Sequence, residues 1–172
     1  MKQELRKKYL NIRNNIKDKD IKDMIIYNKV INDIDILNKD LILIYVSYNN
    51  EVDTIKIINY FLDKKKIAVP RIDNGIMNFY YIDNINELRV GYYGILEPFN
   101  NRIVKDFNNC VSITPGICFS KDGYRIGYGK GFYDKFYNKF DMLKIGLCYK
   151  ECLVSKIDID KYDIAMDKVI TD

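Results

Sequence analysis

The chain has 172 residues, of which 48% are hydrophobic and 30% charged, and its formal net charge is +4. This composition suits a single folded domain over residues 1–172 and excludes an intrinsically disordered chain. No apolar run reaches the roughly 18 residues of a membrane helix, and lysines alternate with aspartates along the chain. These patterns argue against membrane insertion and nucleic-acid binding.

The residue types that are present limit the chemistry. The chain has no histidine, and its four cysteines, Cys110, Cys118, Cys148 and Cys152, form no CxxC pair. We therefore expect buried thiols and neither a zinc site nor a disulfide framework. Acid–base chemistry has to come from carboxylates, lysine, tyrosine or a metal-bound group. The charged N-terminus lacks the apolar core of a secretory signal, so we expect a soluble, cytoplasmic protein.

Hydrophobic spacing predicts the helices and strands in chain order. Amphipathic stretches predict helices at residues 2–15, at 20–37, from residue 53 or 54 onward, and at 131–140. Short apolar runs predict strands at residues 41–47, 66–71, 76–82, 110–114 and 143–149. This alternation predicts an α/β domain with a mostly parallel sheet. Ligands of such sheets bind beyond the carboxyl ends of strands, where the segment after Thr114 is expected to lie.

That segment, TPGICFSKDGYRIGYGKGFYDKF at residues 114–136, holds five of the nine glycines. Closely spaced glycines before a helix allow backbone amides to approach a phosphate, and Arg125 and Lys130 add full charges. The spacing matches neither the P-loop nor the dinucleotide fingerprint, so a tight turn with a solvated lysine is the alternative. Asp134, in the first turn of the next helix, favours the helix dipole or holds magnesium.

Several segments, in the same order along the chain, resemble the 5-formyltetrahydrofolate cyclo-ligase family. The glycine-rich segment is similar to the hallmark of that family. The other similar segments are KQELRKKY (2–9), SYNNEVDT (47–54), VPRI (69–72), IMNFY (76–80), GYYGILEP (91–98) and YDIAMDKVITD (162–172). The resemblance covers the full length and implies an open α/β domain whose central sheet lies between helices.

The resemblance also implies a reaction that uses ATP and Mg²⁺. The formyl oxygen on N5 of the folate attacks the γ-phosphate, N10 then closes the ring, and phosphate leaves to give 5,10-methenyltetrahydrofolate. Such an enzyme positions two small molecules and neutralises phosphate charge, which requires no histidine and no covalent enzyme intermediate. We expect a monomer with small-molecule partners.

The site residues implied by the resemblance fall into four sets. The ATP contacts are Lys2, Gln3, Glu4, Leu5, Arg6, Arg125, Ile126, Gly127, Tyr128, Gly129, Lys130, Gly131, Phe132 and Tyr133. The folate contacts are Val46, Glu51, Met77, Tyr93, Tyr128, Gly129, Lys130, Gly131 and Phe132. The magnesium ligands are Asp134 and Asp163, and the catalytic residues are Arg125, Lys130 and Tyr133.

Some of these residues have simpler interpretations. Lys2 and Arg6 lie four apart on one helical face and could reach one polyphosphate, or could be exposed charges on a basic helix. Glu51 is a hydrogen-bond acceptor for the pterin or a carboxylate before a helix. Tyr93 stacks on the pterin or packs in the core. Arg125 and Lys130 are interpreted as loop side chains, so their replacement by alanine is expected to weaken ATP use and leave the fold intact.

The chain departs from the family pattern at four positions. Tyr93 replaces the common tryptophan, Phe132 the first tyrosine of a pair, and Ser120 a frequent aspartate, while Tyr162 stands where histidine or asparagine is frequent. The charges implied for ATP and magnesium are all retained. The alternatives are a family relative that acts on a different formylated amine and a non-catalytic nucleotide- or RNA-binding module.

Overall fold

The computed structural model describes residues 1–172 and contains one six-stranded sheet with two smaller ones. The helices are α1 (Lys2–Asn14), α2 (Lys19–Ile31), α3 (Ile34–Leu37), α4 (Ile55–Phe61) and α5 (Phe132–Lys139). The strands are β1 (Leu41–Ile44), β2 (Lys66–Asp73), β3 (Ile76–Ile82), β4 (Leu88–Val90), β5 (Leu96–Pro98), β6 (Cys110–Thr114), β7 (Cys118–Ser120), β8 (Arg125–Ile126), β9 (Leu143–Leu147), β10 (Leu153–Val154) and β11 (Lys168–Ile170). The large sheet has the order β11-β9-β6-β1-β2-β3.

The large sheet is parallel except at one edge, which confirms the predicted α/β class. β1 pairs in parallel with β2 and β6, and β9 pairs in parallel with β6 and β11. β3 is antiparallel to β2 because only Asn74 and Gly75 join them. Both residues have positive φ, 51° and 78°, as a two-residue hairpin turn requires.

Both faces of the sheet are covered by helices, as β1 demonstrates. Ile42 and Ile44 pack into a core cluster that also contains residues of α2 and α4. Leu41 and Leu43 pack into a second cluster with residues of α5, against which side chains of α1 are packed. Because successive side chains of a strand point to opposite faces, the two clusters lie on opposite sides of the sheet.

The four cysteines are buried and free, as expected from the sequence. None of the five helices combines the length and the apolar character needed to cross a membrane.

Two element boundaries differ from the prediction for local chemical reasons. The helix expected over residues 20–37 is interrupted at Asn32, because the Asp33 carboxylate accepts hydrogen bonds from the backbone N–H groups of Asp35 and Ile36 and starts α3. The strand expected over 41–47 ends at Ile44, and beyond it the Thr54 side chain forms hydrogen bonds with the backbone. The Thr54 hydroxyl donates to the Tyr45 carbonyl oxygen at 2.7 Å and accepts from the Ser47 N–H at 2.9 Å.

The short strands were absent from the prediction. β4 and β5 form a two-stranded sheet, and β10, β7 and β8 form a three-stranded one. The two residues of β8 include Arg125, so the sequence-based interpretation of Arg125 as a loop residue is wrong. Two- and three-residue strands carry too few apolar positions to give a periodic signal, and tertiary pairing decides them.

Candidate active site

The glycine-rich loop, residues 127–131, joins β8 to the start of α5. A Cβ atom built on Gly127 or Gly131 would have no atom within 4 Å, so the backbone there faces open space. Gly129 and Gly131 have φ values of +94° and +69°, a conformation that side chains other than glycine rarely adopt. Gly131 is the N-cap of α5, so exposed backbone N–H groups and the positive end of the helix dipole meet in this loop.

α1 reaches the loop through Arg6. The Arg6 Nε donates a hydrogen bond to the Gly127 carbonyl oxygen at 2.6 Å. Its guanidinium lies 3.5 Å from where a Cβ on Gly129 would be, so a side chain at that position would crowd it. The interpretation of Arg6 as a freely exposed charge is therefore wrong.

One turn earlier on α1, Lys2 contacts the C-terminal segment. Its Nζ lies 2.6 Å from the Asp163 carboxylate and 3.4 Å from that of Asp160. Of the other predicted ATP contacts on α1, Gln3 and Glu4 are exposed and Leu5 is packed against the second core cluster. Lys2 and Arg6 are thus the α1 residues that bring charge to the region.

Arg125 is buried, which corrects the expectation that its replacement by alanine leaves the fold unchanged. Its side chain is only 7% exposed, and its Nη2 lies 3.4 Å from Oδ1 of Asp134. The guanidinium carbon is 5.5 Å from the ring centre of Tyr133. The Nη1 atom is buried without a hydrogen-bond partner, although such groups are almost always satisfied. A buried, unpaired N–H on a cation beside the glycine-rich loop suits an anionic ligand.

Lys130, at the centre of the predicted loop site, is exposed and forms no ion pair within the chain. Its Nζ is 6.0 Å from the ring centre of Tyr93, in the 3-10 turn between β4 and β5. The Lys130 charge is therefore available to a ligand from solution. Ile126 is buried under the loop, and Phe132 and Tyr133 are half-buried at the start of α5.

The two predicted magnesium ligands lie on segments that are packed together. The backbone N–H of Ile164 donates to Oδ1 of Asp134 at 3.3 Å, which places the residue after Asp163 against the first turn of α5. No group of three or more acidic, histidine or cysteine side chains clusters as a metal cage. Magnesium commonly takes one or two carboxylates and completes its shell with phosphate oxygens and water, so this donor set fits a phosphate-bound Mg²⁺.

Two of the candidate phosphate-binding cations form ion pairs with the two candidate magnesium ligands. Lys2 is paired with Asp163, and Arg125 with Asp134. Two of the cations predicted to bind phosphate, Lys2 and Arg125, thus each lie beside a carboxylate predicted to bind magnesium. Because Mg-ATP also carries both signs, the cations suit its phosphate oxygens and the carboxylates suit its metal.

On the predicted folate side, Glu51 is a buried carboxylate. It is 8% exposed, and its Oε1 accepts a hydrogen bond from the backbone N–H of Tyr48 at 2.8 Å. Burial raises the pKa of Glu51 from its ordinary 4.5 to about 7, although the Tyr48 hydrogen bond and the charges of Arg13 and Lys19 oppose the rise. Glu51 closes the turn before α4 and does not cap that helix, whose N-cap is Thr54.

The other predicted folate contacts differ in exposure. Tyr93 is 57% exposed, so the core-packing interpretation of this residue is wrong. Its φ of 57° is uncommon for a bulky residue, and such conformations concentrate at functional sites. Tyr128 is 53% exposed. Val46 and Met77 are buried and pack into the first and second core clusters respectively, so the structure does not bring these two side chains together.

Arg13 is a residue near the loop that the sequence analysis missed. It is 5% exposed and donates from Nη2 to the Tyr128 hydroxyl at 2.7 Å and from Nη1 to the Gly116 carbonyl oxygen at 3.3 Å. Its position seven residues after Arg6, two turns along the same helix, was the only sequence signal.

The pH dependence of stability is expected to report the burial of Glu51. Between about pH 4.5 and pH 7 the folded chain retains a proton on Glu51 that the unfolded chain has released, so the contribution of Glu51 to the free energy of unfolding falls as pH rises. Glu51→Gln retains an oxygen that accepts from the Tyr48 backbone N–H and removes the titrating group, so the pH-dependent contribution disappears. Denaturant titrations should find the variant more stable than the wild type by up to about 3 kcal/mol above pH 7, with the advantage vanishing near pH 4. A difference that does not change with pH would contradict the buried carboxylate.

Comparison with known proteins gives one consistent family. The model described as "5-formyltetrahydrofolate cyclo-ligase family" matches residues 1–172. A Schizosaccharomyces pombe protein named "Probable 5-formyltetrahydrofolate cyclo-ligase" is 29% identical over 129 residues, which is 64% of this chain and 63% of that protein. A Saccharomyces cerevisiae 5-formyltetrahydrofolate cyclo-ligase is 28% identical over 161 residues, 77% of this chain and 76% of that protein. The match to the first of these spans less than two thirds of its length.

Two solved structures have the same fold. The NMR structure of Aquifex aeolicus 5,10-methenyltetrahydrofolate synthetase superposes with a TM-score of 0.87 at 26% identity, covering 98% of this chain and 88% of that one. A Mycoplasma pneumoniae 5,10-methenyltetrahydrofolate synthetase superposes with a TM-score of 0.75, covering 99% and 98%. At 23% identity, the second comparison supports the fold alone.

Proposed function

This chain belongs to the 5-formyltetrahydrofolate cyclo-ligase family, and from that premise we propose that it converts 5-formyltetrahydrofolate to 5,10-methenyltetrahydrofolate with ATP and Mg²⁺. The observation that carries the ATP part is the glycine-rich loop, whose open backbone is bordered by Arg6, Arg125 and Lys130. The buried, unpaired Nη1 of Arg125 adds a donor that a phosphate oxygen would satisfy.

The proposed chemistry is activation of a poor leaving group. The formyl oxygen on N5 attacks the γ-phosphorus, and the bond to ADP breaks. N10 then attacks the formyl carbon, the C–O bond breaks, and the departing phosphate takes up the N10 proton. The sum is 5-formyltetrahydrofolate and ATP giving 5,10-methenyltetrahydrofolate, ADP and phosphate. No side-chain base is needed, which suits a chain without histidine.

The side chains supply charge and orientation. Arg125 and Lys130 stabilise the negative charge that moves onto the transferred phosphoryl group, and loop amides hold its oxygens. Burial raises the pKa of Tyr133 well above its usual value, so its phenol stays protonated and acts as a hydrogen-bond donor. When bound between Asp134 and Asp163, Mg²⁺ would neutralise phosphate charge. Glu51, in its carboxylate form, accepts hydrogen bonds from the pterin edge.

The direct test is a coupled assay. Protein, Mg-ATP and 5-formyltetrahydrofolate are mixed in mildly acidic buffer, and the absorbance of methenyltetrahydrofolate is followed with phosphate release. Product is expected only when ATP and magnesium are both present, with slow ATP hydrolysis without folate, because the substrate itself provides the nucleophile. Rapid folate-independent hydrolysis would contradict the mechanism. Turnover of a different formylated amine in place of the folate would favour the alternative of shifted specificity.

The exposed ring of Tyr93 gives a second prediction. Tyr93→Trp enlarges the face available to stack on the pterin, so the KM for folate should fall about two- to fivefold while the KM for ATP stays unchanged. The backbone at Tyr93 is already in the left-handed conformation and the side chain is exposed, so the larger ring should leave the melting temperature unchanged. Tyr92→Trp, which enlarges the neighbouring exposed ring, is the matched control. An unchanged folate KM in Tyr93→Trp would remove Tyr93 from the site.

A cytoplasmic location, a monomeric state and the absence of a nucleic-acid partner stay predictions from the sequence. Light scattering of the purified protein tests the monomer, and a filter-binding assay with RNA tests the alternative of a nucleic-acid-binding module. Retention of RNA without any cyclisation activity would favour that alternative.

A further inference from the structure

Arg13 is a buried cation without an anionic partner. Its side chain is on α1, and the residue is 5% exposed. No carboxylate lies within salt-bridge distance, and its Nε is buried without a hydrogen-bond partner. Burying a guanidinium is costly unless it is paired. We therefore look to its two hydrogen bonds for the reason that this position holds an arginine and not a neutral side chain of similar size.

Both acceptors of Arg13 lie in segments that border the proposed site. Gly116, whose carbonyl oxygen accepts from Nη1 at 3.3 Å, is in the turn between β6 and β7. Tyr128, whose hydroxyl accepts from Nη2 at 2.7 Å, is in the glycine-rich loop. The Tyr128 residue is 53% exposed, so the loop holds an exposed aromatic ring whose hydroxyl is fixed from the protein interior.

Arg13 and Arg6 hold adjacent residues of the loop. Arg6 binds the carbonyl oxygen of Gly127, and Arg13 binds the side chain of Tyr128. The two arginines are seven residues apart, which is about two helical turns, so they project from the same face of α1. A single helix therefore fixes both the backbone and the aromatic ring at the start of the loop.

The Glu51 carboxylate is close to the same group. A small cavity of about 10 Å³, the room of about one water molecule, is lined by Arg13, Glu51 and Gly116 among others. The charge of Arg13 also opposes the rise in the pKa of Glu51. Arg13 thus lines a cavity that Glu51, the residue proposed to bind the pterin edge, also lines, and it donates a hydrogen bond to Tyr128.

We propose that Arg13 is a positioning residue that fixes the Tyr128 ring as one wall of the folate site by anchoring its hydroxyl to the β6–β7 turn. This inference rests on the proposed function for its kinetic consequence and on the observed contacts for its structural one. Losing the contact frees the ring to rotate away from the substrate and loosens the loop after it, while the Arg6 contact to Gly127 still holds the first residue of the loop. The consequence should therefore fall on folate more than on ATP.

The kinetic test uses Arg13→Lys, Tyr128→Phe and the double variant. Each single variant should raise the folate KM about tenfold, as expected for one hydrogen bond to a charged group, with the ATP KM within about threefold. Because both substitutions remove the same contact, the folate KM of the double variant should be no higher than that of the more impaired single variant. Arg102→Lys and Tyr27→Phe, which make the same chemical changes away from the loop, are the matched controls. Additive losses, near a hundredfold in the double variant, would overturn the proposal.

Hydrogen exchange of the ligand-free protein gives a readout that needs no activity. Amides of residues 127–131 should exchange faster in Arg13→Lys and in Tyr128→Phe, while those of β6 keep their wild-type rates. If Arg13→Lys does not fold, Tyr128→Phe alone tests the proposal, because it removes the hydroxyl that accepts the hydrogen bond from Arg13. Unchanged exchange at 127–131 in Tyr128→Phe would overturn the proposal. An inactive wild type would count against the proposed function, and the exchange data would still decide the role of Arg13.

Discussion

Replacing Lys130 with methionine is expected to lower the rate of methenyltetrahydrofolate formation about 100- to 1,000-fold without changing the melting temperature. Lys130 is exposed and has no ion pair to lose, so the fold should tolerate the change. Methionine retains an unbranched side chain of similar length and removes only the charge. In the proposed reaction that charge faces the transferred phosphoryl group, where a preorganised cation is worth most because negative charge develops there.

The matched control for this prediction is Lys139→Met. Lys139 is the last residue of α5 and is exposed, so the same change in charge occurs at the far end of the helix that follows the loop. Lys139→Met should retain wild-type kcat and both KM values. Near wild-type activity in Lys130→Met would instead support the alternative that the loop is a tight turn with a solvated lysine.

Arg125→Met is expected to lower both activity and stability. The rate should fall about 100- to 1,000-fold for the same electrostatic reason. The side chain is also 7% exposed and pairs with Asp134 across 3.4 Å, so its loss leaves a partly buried carboxylate without its cation. We expect the free energy of unfolding to drop by about 1–3 kcal/mol, which denaturant titration measures.

A second substitution separates these two effects. Asp134→Asn in the Arg125→Met background removes the uncompensated charge and should restore most of the lost stability. It should not restore activity, because the phosphate-binding cation is still missing and a candidate magnesium ligand has been removed. If the double variant regained the wild-type rate, Arg125 would act only by holding the fold.

The pairing of cations with carboxylates explains why these two predictions differ. Lys130 has no carboxylate partner within the chain, whereas Arg125 is held by Asp134 and by the rings of α5. A residue of the first kind contributes to ligand binding alone. A residue of the second kind contributes to folding as well, so its replacement needs a compensating change before its catalytic part can be measured.

The sequence determined the elements whose signal is local. The helix at residues 2–15, the strand at 110–114 and the helix at 131–140 were all predicted within one or two residues of α1, β6 and α5. Apolar periodicity and the conformational demands of glycine act over a few neighbouring residues, so they are present in the sequence itself. The reaction was predicted from the family resemblance, because the motifs that carry it cannot be recognised from hydrophobic periodicity.

Only the tertiary structure decided which side chains meet. Lys2 contacts Asp163 across 161 positions of the chain, and Arg13 contacts Tyr128 across 115. The burial of Arg125 follows from the pairing of β7 with β8, and the raised pKa of Glu51 follows from the removal of water around it. Each of these properties depends on distance and solvent exclusion between segments that are far apart in sequence. Local patterns do not encode them, because desolvation and charge pairing arise only once the sheet and its helices have packed.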